Sequence, residues 1–327
     1  MAQSEMYDLA IIGGGPGGLS AAIYAMRAAL KTVLIEKAVP GGQVNLSDEV
    51  ENYPGYTHIN GSELAMRFAE HARSYGLEEV NDEVVSVEPG LEYHGVRLSG
   101  GREIRTHAVI LATGGTPRKL DVPGEQDLYG KGVSYCAVCD GFFFRGKQVI
   151  VVGGGDSACE EGLYLAKLAQ RVYLVHRRDS LRASRILQQR VTAECKMEVL
   201  WNSAVSEILS GSGGVTGVTL QDTQTGRKRQ MSVDGVFIFI GFEPNNQLVP
   251  AGVRMSTDGF VITDDQCSTA IPGIYAIGDL KEKYARQIVL SAADGCLAAL
   301  SAAHYVETRK AKMGAEICEL PEILSAR

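Results

Sequence analysis

Two glycine-rich segments each stand between an apolar run and a helical pattern, and they restrict the folds open to this chain. The segments are Gly13–Gly18 and Gly153–Ala158, and the runs before them are Tyr7–Ile12 and Gln148–Val152. Runs of this length that are apolar at nearly every position indicate strands buried on both faces of a parallel sheet. In a G-x-G-x-x-G/A segment, the first glycine allows a tight turn, the second lets the backbone approach a pyrophosphate, and the third small residue packs helix on strand. The sequence therefore predicts two dinucleotide-binding βαβ units and an α/β fold.

The order of the remaining apolar strands predicts how the two units share the chain. A length of 327 residues suggests about two domains. A strand at Val109–Leu111 closes the first sheet, and the strand that ends at Gly278-Asp279 returns to it after the second unit is complete. We therefore expect two Rossmann-like domains of the FAD/NAD(P)-binding type, the second inserted into the first. The predicted boundaries are 1–117 and 247–327 for the first domain and 118–246 for the second.

An acidic residue follows the first unit at the position that contacts a ribose. Glu36 ends the predicted strand Thr32–Glu36, eighteen residues after Gly18. A carboxylate at this place can accept hydrogen bonds from both ribose hydroxyls of an adenosine. The loops that follow, Gly41–Gln43 and Glu49–Gly55, offer polar amides to a cofactor, although ordinary turn chemistry explains their pattern as well. The first site is expected to take a dinucleotide with a free ribose.

The second unit carries a basic cluster where the first has its acid. The same spacing after Ala158 leads to His176, which Arg177, Arg178 and Arg182 follow. A carboxylate there would repel a 2′-phosphate, whereas guanidinium groups bind one bidentately. The attraction is about 4 kcal/mol at roughly 4 Å near a surface, before desolvation. We therefore expect NADPH rather than NADH at the second site; the alternative is a solvated basic face.

Between the two units lies a pair of cysteines spaced for redox chemistry. Cys136 and Cys139 are separated by two residues and followed directly by Asp140. A CxxC pair can close a disulfide or act as a dithiol, and its setting can bring a thiol pKa near ambient pH. The adjacent acid can give or take the proton of a sulfur that is charged and neutral by turns. A zinc site is the weaker alternative, because no second Cys or His pair lies at ligand spacing.

The other five cysteines and the overall composition bear on the cellular compartment and on the kind of partner. Cys159, Cys195, Cys267, Cys296 and Cys318 are interpreted as packing residues, which fits a reducing compartment with one catalytic pair. A net charge of −7 argues against nucleic acid as a partner. The N-terminus has no basic, apolar leader, and no apolar run reaches about 18 residues, so we expect a cytoplasmic protein without a membrane span.

Together these motifs resemble the low-molecular-weight thioredoxin reductases. The most specific element is the Cys136–Phe143 box, CAVCDGFF, just ahead of the second glycine segment. The resemblance implies a homodimeric flavoprotein that holds FAD and uses NADPH to reduce thioredoxin or a thioredoxin-like protein. Hydride would pass from NADPH to FAD, electrons then to the Cys136–Cys139 disulfide, and thiol–disulfide exchange would follow. It also implies that Cys139 is nearer the flavin, that Cys136 attacks the partner's disulfide, that Asp140 handles the proton, and that the NADPH domain swings.

The glycine motifs and the resemblance together give a set of predicted cofactor contacts. Those for FAD are Gly13, Gly15, Pro16, Gly18, Glu36, Lys37, Gly42, Gln43, Asn52, Val85, Ala112, Thr113, Gly114, Gly278, Asp279, Arg286, Gln287 and Ile288. Those for NADPH are Gly153, Gly155, Asp156, Ser157, Ala158, His176, Arg177, Arg178, Arg182, Ile240 and Gly241.

Other functions fit parts of the pattern. A hydroperoxide-reducing relative would carry an extra N-terminal thioredoxin-like region, and the first strand at the start of this chain counts against it. A flavin NADPH:ferredoxin reductase would lack the cysteine box, and a dithiol oxidase would usually lose Arg177-Arg178. A non-enzyme alternative is a redox-responsive binding protein in which the cysteine pair is a switch and the nucleotide sites are structural.

Overall fold

The computed structural model describes residues 6–47 and 50–318, with side chains to residue 312. Contacts divide the chain into two compact units. Unit 1 comprises the described parts of Met1–Asn45, Asn60–Gly115 and Pro244–Arg327, and unit 2 comprises those of Leu46–Ile59 and Thr116–Glu243. The chain thus leaves unit 1 and later returns to it. The domain boundaries given above remain a prediction.

Unit 1 is built on one mixed sheet. Its strands are β1 (Met6–Ile12), β2 (Thr32–Glu36), β3 (Glu78–Asn81), β4 (Val84–Glu88), β5 (His94–Leu98) and β6 (Glu103–Leu111), joined by β17 (Ile274–Ala276). The order is β3-β2-β1-β6-β5-β4, and β17 pairs with the second half of β6. Strands β3, β2, β1, β6 and β17 pair parallel with one another, whereas β5 pairs antiparallel with both of its neighbours, β6 and β4. The carboxyl ends of β1, β2, β6 and β17 therefore meet at one edge, where ligands bind in such sheets.

Both faces of this sheet are buried, which is why β1 lacks polar alternation. Leu9 and Ile11 pack into the cluster that contains helices α1 (Pro16–Arg27) and α6 (Ile288–Cys318). Ala10 and Ile12 pack into a second cluster on the opposite face. Helix α1 begins with proline at its first turn, where the missing N–H has no helical partner to lose. In α2 (Gly61–Arg73), the Asn60 side chain caps the N-terminus by accepting from Ser62 N and Glu63 N.

Unit 2 contains a five-stranded parallel sheet and a three-stranded antiparallel one. The strands are β8 (Val133–Ser134), β9 (Gln148–Gly153), β10 (Arg171–Val175), β11 (Met197–Leu200) and β15 (Gly235–Phe239), followed in the second sheet by β12 (Ser203–Gly211), β13 (Gly214–Asp222) and β14 (Lys228–Met231). The parallel order is β11-β10-β9-β15-β8. Its helices are α3 (Ala137–Asp140), α4 (Asp156–Ala166) and α5 (Arg185–Ala193). At the two passages of the chain between the units, β7 (Gly115–Pro117) and β16 (Phe242–Pro244) form a two-stranded sheet.

The described elements differ from the sequence expectation in a few places. The strand predicted at Val109–Leu111 is the last third of the nine-residue strand β6. The sequence alone predicts a helix from Ile288 to about Tyr305, and helix α6 continues to Cys318. The charged last twenty residues predict a helical or frayed tail, of which residues 319–327 lie outside the described residues, as does Glu49 of the predicted polar loop.

Within the described residues, one helical segment, Ile288–Lys312, is long and apolar enough to cross a membrane by length and composition alone. A core helix passes the same test, and this one supplies Ala298, Ala302 and Val306 to the core of unit 1. The expected absence of a membrane span stays a prediction.

Candidate dinucleotide sites and redox-active cysteines

The first glycine loop links β1 to α1 at the carboxyl edge of the unit 1 sheet. Gly13 has φ +107°, and a Cβ there would collide with the carbonyl oxygen of Ala112. A Cβ on Gly18 would collide with the carbonyl oxygen of Gly13, so both positions require glycine. By contrast, no atom lies within 4 Å of a Cβ built on Gly15. The middle glycine thus faces open space, as a backbone that receives a pyrophosphate must.

Glu36 lies at the end of β2 and braces this loop. Its Oε2 accepts a hydrogen bond from Gly14 N at 2.7 Å, and its Oε1 accepts one from Ala38 N at 2.9 Å. A carboxylate offers about four acceptor positions, so two remain for other donors. The predicted ribose acceptor is therefore positioned by backbone and still has the capacity to bind two hydroxyls.

Further predicted residues gather at the same edge. Ala112, Thr113 and Gly114 follow β6, and Gly41 N donates to Gly14 O at 2.7 Å. The amide of Gln43 donates to the carbonyl oxygen of Gly115.

Sequence reasoning assigned no role to Asn245, whose side chain is part of the same edge. Its Nδ2 donates to Thr113 O at 2.8 Å, and its backbone O accepts from Thr113 Oγ1 at 2.7 Å. The signal was weak, a Pro-Asn turn after a glycine-ended strand.

The loop after β17 carries a buried acid with an unused oxygen. Asp279 Oδ1 is buried and has no hydrogen-bond partner among the described residues. Burial raises the pKa of Asp279, while Lys283 and Arg286 act to lower it. Buried oxygens normally have a partner, so a ligand with hydroxyl groups fits this position.

A second acid holds the backbone of that loop. Asp294, on α6, accepts from Gly278 N at 3.1 Å and pairs with Lys283 at 2.6 Å and Lys281 at 3.3 Å. Asp294 was not predicted, and nothing in its sequence setting singles it out.

Some predicted FAD contacts lie apart from the glycine loop or already have partners. Lys37 forms an ion pair with Glu83 at 2.9 Å. Val85 is exposed on β4, which β6 and β5 separate from β1. Asn52 lies in the segment grouped with unit 2. Arg286 lies over the Phe260 ring at 4.3 Å, and Gln287 and Ile288 stand at the start of α6.

The second glycine loop links β9 to α4 and repeats the design of the first. A Cβ on Gly153 would collide with the carbonyl oxygen of Phe239, whereas a Cβ on Gly155 would meet no atom within 4 Å. His176, after β10, is buried, and its Nδ1 donates to Gly153 O at 2.8 Å. Its Nε2 is buried without a partner in the described part of the chain. His176 thus braces the loop from the position that Glu36 occupies in unit 1.

Three exposed arginines lie in the segment that follows β10. The side chains of Arg177, Arg178 and Arg182 are all exposed, and none forms an ion pair with a residue that the structure describes. Arg182 N donates to Gly154 O at 2.7 Å, and Asp156 Oδ1 accepts from Ser184 N at 2.6 Å. These bonds tie the arginine-bearing segment to the glycine loop. Of the remaining predicted residues, Ser157 is exposed and Ala158 buried in α4, and Ile240 and Gly241 follow β15.

The two cysteines form a disulfide in the structure. Cys136 precedes α3 and Cys139 lies within it, with their Cα atoms 5.3 Å apart. Cys139 N donates to Cys136 Sγ at 3.2 Å, a contact that favours negative charge on Cys136. Asp140 accepts a hydrogen bond from the Ser134 hydroxyl. Burial raises the pKa of Asp140, and the Ser134 hydroxyl acts to lower it.

Two glycine loops, one braced by an acid and the other tied to an arginine-bearing segment, together with one cysteine pair, define a class of protein: a nucleotide-dependent disulfide oxidoreductase. Residues 7–295 match the family model described as pyridine nucleotide-disulphide oxidoreductase, so the chain belongs to that family. The thioredoxin reductase of Bacillus subtilis (strain 168) is 47% identical over 307 residues, 94% of this chain and 97% of that protein. The resemblance to thioredoxin reductases is thereby confirmed.

Solved structures of thioredoxin reductases are similar to this chain as well. The thioredoxin reductase from Streptococcus pyogenes MGAS5005 is 44% identical, with a TM-score of 0.90 over 93% of this chain and 99% of that one. The enzyme from Giardia duodenalis is 35% identical, with a TM-score of 0.89 over 93% and 100%. Two Rossmann-like domains, a disulfide oxidoreductase activity and the cofactor pair FAD and NADPH are confirmed with them.

Proposed function

We propose that this chain is a thioredoxin-disulfide reductase whose Cys136–Cys139 disulfide is the group that exchanges with the partner protein. The observation that carries this is the bond from Cys139 N to Cys136 Sγ, because it prepares one sulfur of the pair to bear negative charge. When bound, FAD and NADPH supply hydride and electron transfer, and the protein supplies binding and position.

The two cysteines have different roles in this proposal. The Cys136 thiolate attacks the disulfide of thioredoxin or a thioredoxin-like protein, and the mixed disulfide is then resolved by Cys139. Asp140 gives and takes the proton that the Cys139 sulfur needs as it alternates between thiol and thiolate. Support comes from the position of Asp140, one residue beyond Cys139 and held by Ser134.

We assign the predicted cofactor contacts to the same two sites as above, one for FAD and one for NADPH. The residues around Gly15, Glu36 and Asp279 would hold FAD, because they combine an open glycine, a ribose acceptor and a buried oxygen without a partner. The residues around Gly155 and the three exposed arginines would hold NADPH. Arginine suits the 2′-phosphate because its planar fork donates two hydrogen bonds at once.

The deciding experiment is an anaerobic titration of the purified protein followed by visible absorption. The protein should be yellow, bleach on addition of NADPH and regain its colour with oxidised thioredoxin. The Cys139→Ser variant should bind FAD and bleach with NADPH but fail to turn over thioredoxin. A colourless protein, or a Cys139→Ser variant with full turnover, would reject the proposal.

We also propose a homodimer. Leu290, Leu297 and Leu300 are exposed and lie at spacings of seven and three residues along α6, so they share one face of the helix. Tyr24, on the neighbouring helix α1, is exposed as well. Exposed apolar side chains grouped on neighbouring helices are typical of a protein interface, and a second copy of the chain would cover them.

The proposed setting is the cytoplasm, with no membrane or nucleic-acid partner. The free thiols of Cys159, Cys195, Cys267 and Cys296 suit a reducing compartment. The net charge of −7 disfavours phosphate backbones. Co-sedimentation with lipid vesicles would contradict the proposal.

A further inference from the structure

A buried serine hydroxyl connects the first cysteine to the acid that follows the second. Ser134 ends β8, and its side chain is buried. Its Oγ lies 2.5 Å from Asp140 Oδ2, 3.0 Å from Cys136 N and 3.2 Å from Cys136 O. One hydroxyl therefore touches both ends of the redox-active segment.

We propose that Ser134 is a positioning residue that holds Asp140 beside the cysteine pair in both of its protonation states and so sets the pH range in which Asp140 exchanges its proton. The inference rests on the proposed role of Asp140.

The hydrogen bonds around Ser134 can be satisfied in either state. A hydroxyl has one proton to donate and two lone pairs to accept with. When Asp140 is ionised, Ser134 donates to Asp140 Oδ2 and accepts from Cys136 N. When Asp140 is protonated, its own O–H donates to Ser134 Oγ, and the serine proton turns to Cys136 O. No heavy atom has to move, and no buried group loses its partner.

Ser134 is also the described group that favours the ionised form of Asp140. Burial raises the pKa of Asp140, and the Ser134 hydrogen bond opposes that rise. The other titratable groups nearby are acids. Tyr129 has a pKa raised by burial and then by the charge of Asp140. Glu161, on α4, has a pKa raised by burial, and the N–H groups of Ala137 and Val138 act on it in the opposite direction. Without the serine, Asp140 would keep its proton to higher pH.

The test follows the reactivity of the two thiols rather than turnover. FAD-loaded protein is reduced with excess dithiothreitol, freed of reductant without oxygen and alkylated with iodoacetamide over a range of pH. Peptide mass spectrometry then gives the alkylation rate at Cys136 and Cys139. We expect the wild-type profile to contain an inflection that Asp140→Asn removes. Ser134→Ala should move that inflection upward by about one pH unit, because a hydrogen bond to a charged group is lost.

Three comparisons make the result specific. Ser134→Thr keeps the hydroxyl and should restore the wild-type inflection, and Glu161→Gln should leave it in place. An unshifted inflection in Ser134→Ala, or a wild-type profile identical to that of Asp140→Asn, overturns the proposal. If Ser134→Ala does not fold, the test depends on Ser134→Thr, which keeps the hydroxyl. A shifted inflection in that variant then overturns the proposal. A wild-type protein that fails to reduce thioredoxin refutes the proposed function, while the alkylation profiles still decide the role of Ser134.

Discussion

Two side chains in the same position of the two units, Glu36 and His176, brace their glycine loops in different ways. Glu36 accepts from the backbone of Gly14 and keeps acceptor capacity for ribose hydroxyls. His176 donates to Gly153 O, and the residues after it present free guanidinium groups. The position therefore braces the loop in both units, while in the proposed assignment its charge and its neighbours would select which ribose binds.

Replacing Arg177 and Arg178 by alanine should weaken NADPH binding far more than NADH binding. A lost hydrogen bond to a charged phosphate is worth about 1.5–3 kcal/mol, so losing even one such bond should raise KM for NADPH by at least roughly 10-fold, while that for NADH changes little. Steady-state kinetics with both coenzymes measure this. Arg185→Ala, at an exposed arginine on α5, is the matched control. An equal rise for NADPH and NADH would exclude contact with the 2′-phosphate.

At the scale of elements, α6 is fastened to the antiparallel part of the unit 1 sheet. Arg309 donates to Glu92 O at 3.1 Å and to Tyr305 OH at 3.0 Å, and its second terminal nitrogen donates to Leu91 O. The buried His94 lies at this junction. Burial, and then the charge of Arg309, lower the pKa of His94 from 6.5 to about 4. Burial also lowers the pKa of His107, although the charge of Asp8 acts to raise it.

The stability of the protein should therefore fall in acid. A histidine with a lowered folded-state pKa contributes its full stability above its unfolded value of 6.5, and that contribution is lost as the pH falls toward about 4. The loss from His94 is up to about 3 kcal/mol. Urea denaturation at several pH values measures it. His94→Gln should flatten this dependence, and His71→Gln, at an exposed histidine, should not. A pH dependence unchanged in His94→Gln would contradict the assignment.

Strands whose residues all have the same surroundings could be predicted from the sequence. A strand whose two parts pair with different neighbours could not. The runs that became β1 and β9 are buried on both faces, so their composition alone indicated buried parallel strands. Strand β6 pairs with antiparallel β5 over its first half and with parallel β17 over its second. Its polar and apolar pattern therefore changes midway, and the sequence predicted a separate strand at its end, Val109–Leu111.

Contacts between residues distant in sequence were beyond prediction for a different reason. Thr113 and Asn245 are 132 positions apart and meet because two passages of the chain lie side by side. Ser134 is only six positions from Asp140, yet their contact depends on the turn made by α3. In both cases the residue type fits many surface or turn positions, and only the fold selects the partner.

At the scale of the whole molecule, the exposed leucines of α6 mark the surface that we propose binds a second copy of the chain. One side of this helix packs against α1 in the core of unit 1, through residues such as Ala298 and Ala302. The other side presents Leu297 and Leu300, which are 45% and 52% exposed. A helix apolar on both sides needs a partner for the outer one.

Charge placed on that outer side should separate the subunits. The double variant Leu297→Glu/Leu300→Glu is expected to run as a monomer where the wild type runs as a dimer, because like charges would face each other across the interface. Size-exclusion chromatography with light scattering gives the mass directly. Val39→Glu, at an apolar residue that is 75% exposed elsewhere on unit 1, should leave the mass unchanged. A dimeric double variant would place the interface elsewhere.

The charged cluster behind Gly278, formed by Asp294, Lys281 and Lys283, affects how the protein takes up its cofactor. Asp294 fixes that loop through Gly278 N, and two lysines balance its charge from within the protein. The loop proposed to bind FAD near Asp279 is therefore held by contacts within the polypeptide. Stripped protein should keep a ready-made cleft and regain its flavin by simple mixing, with no refolding step.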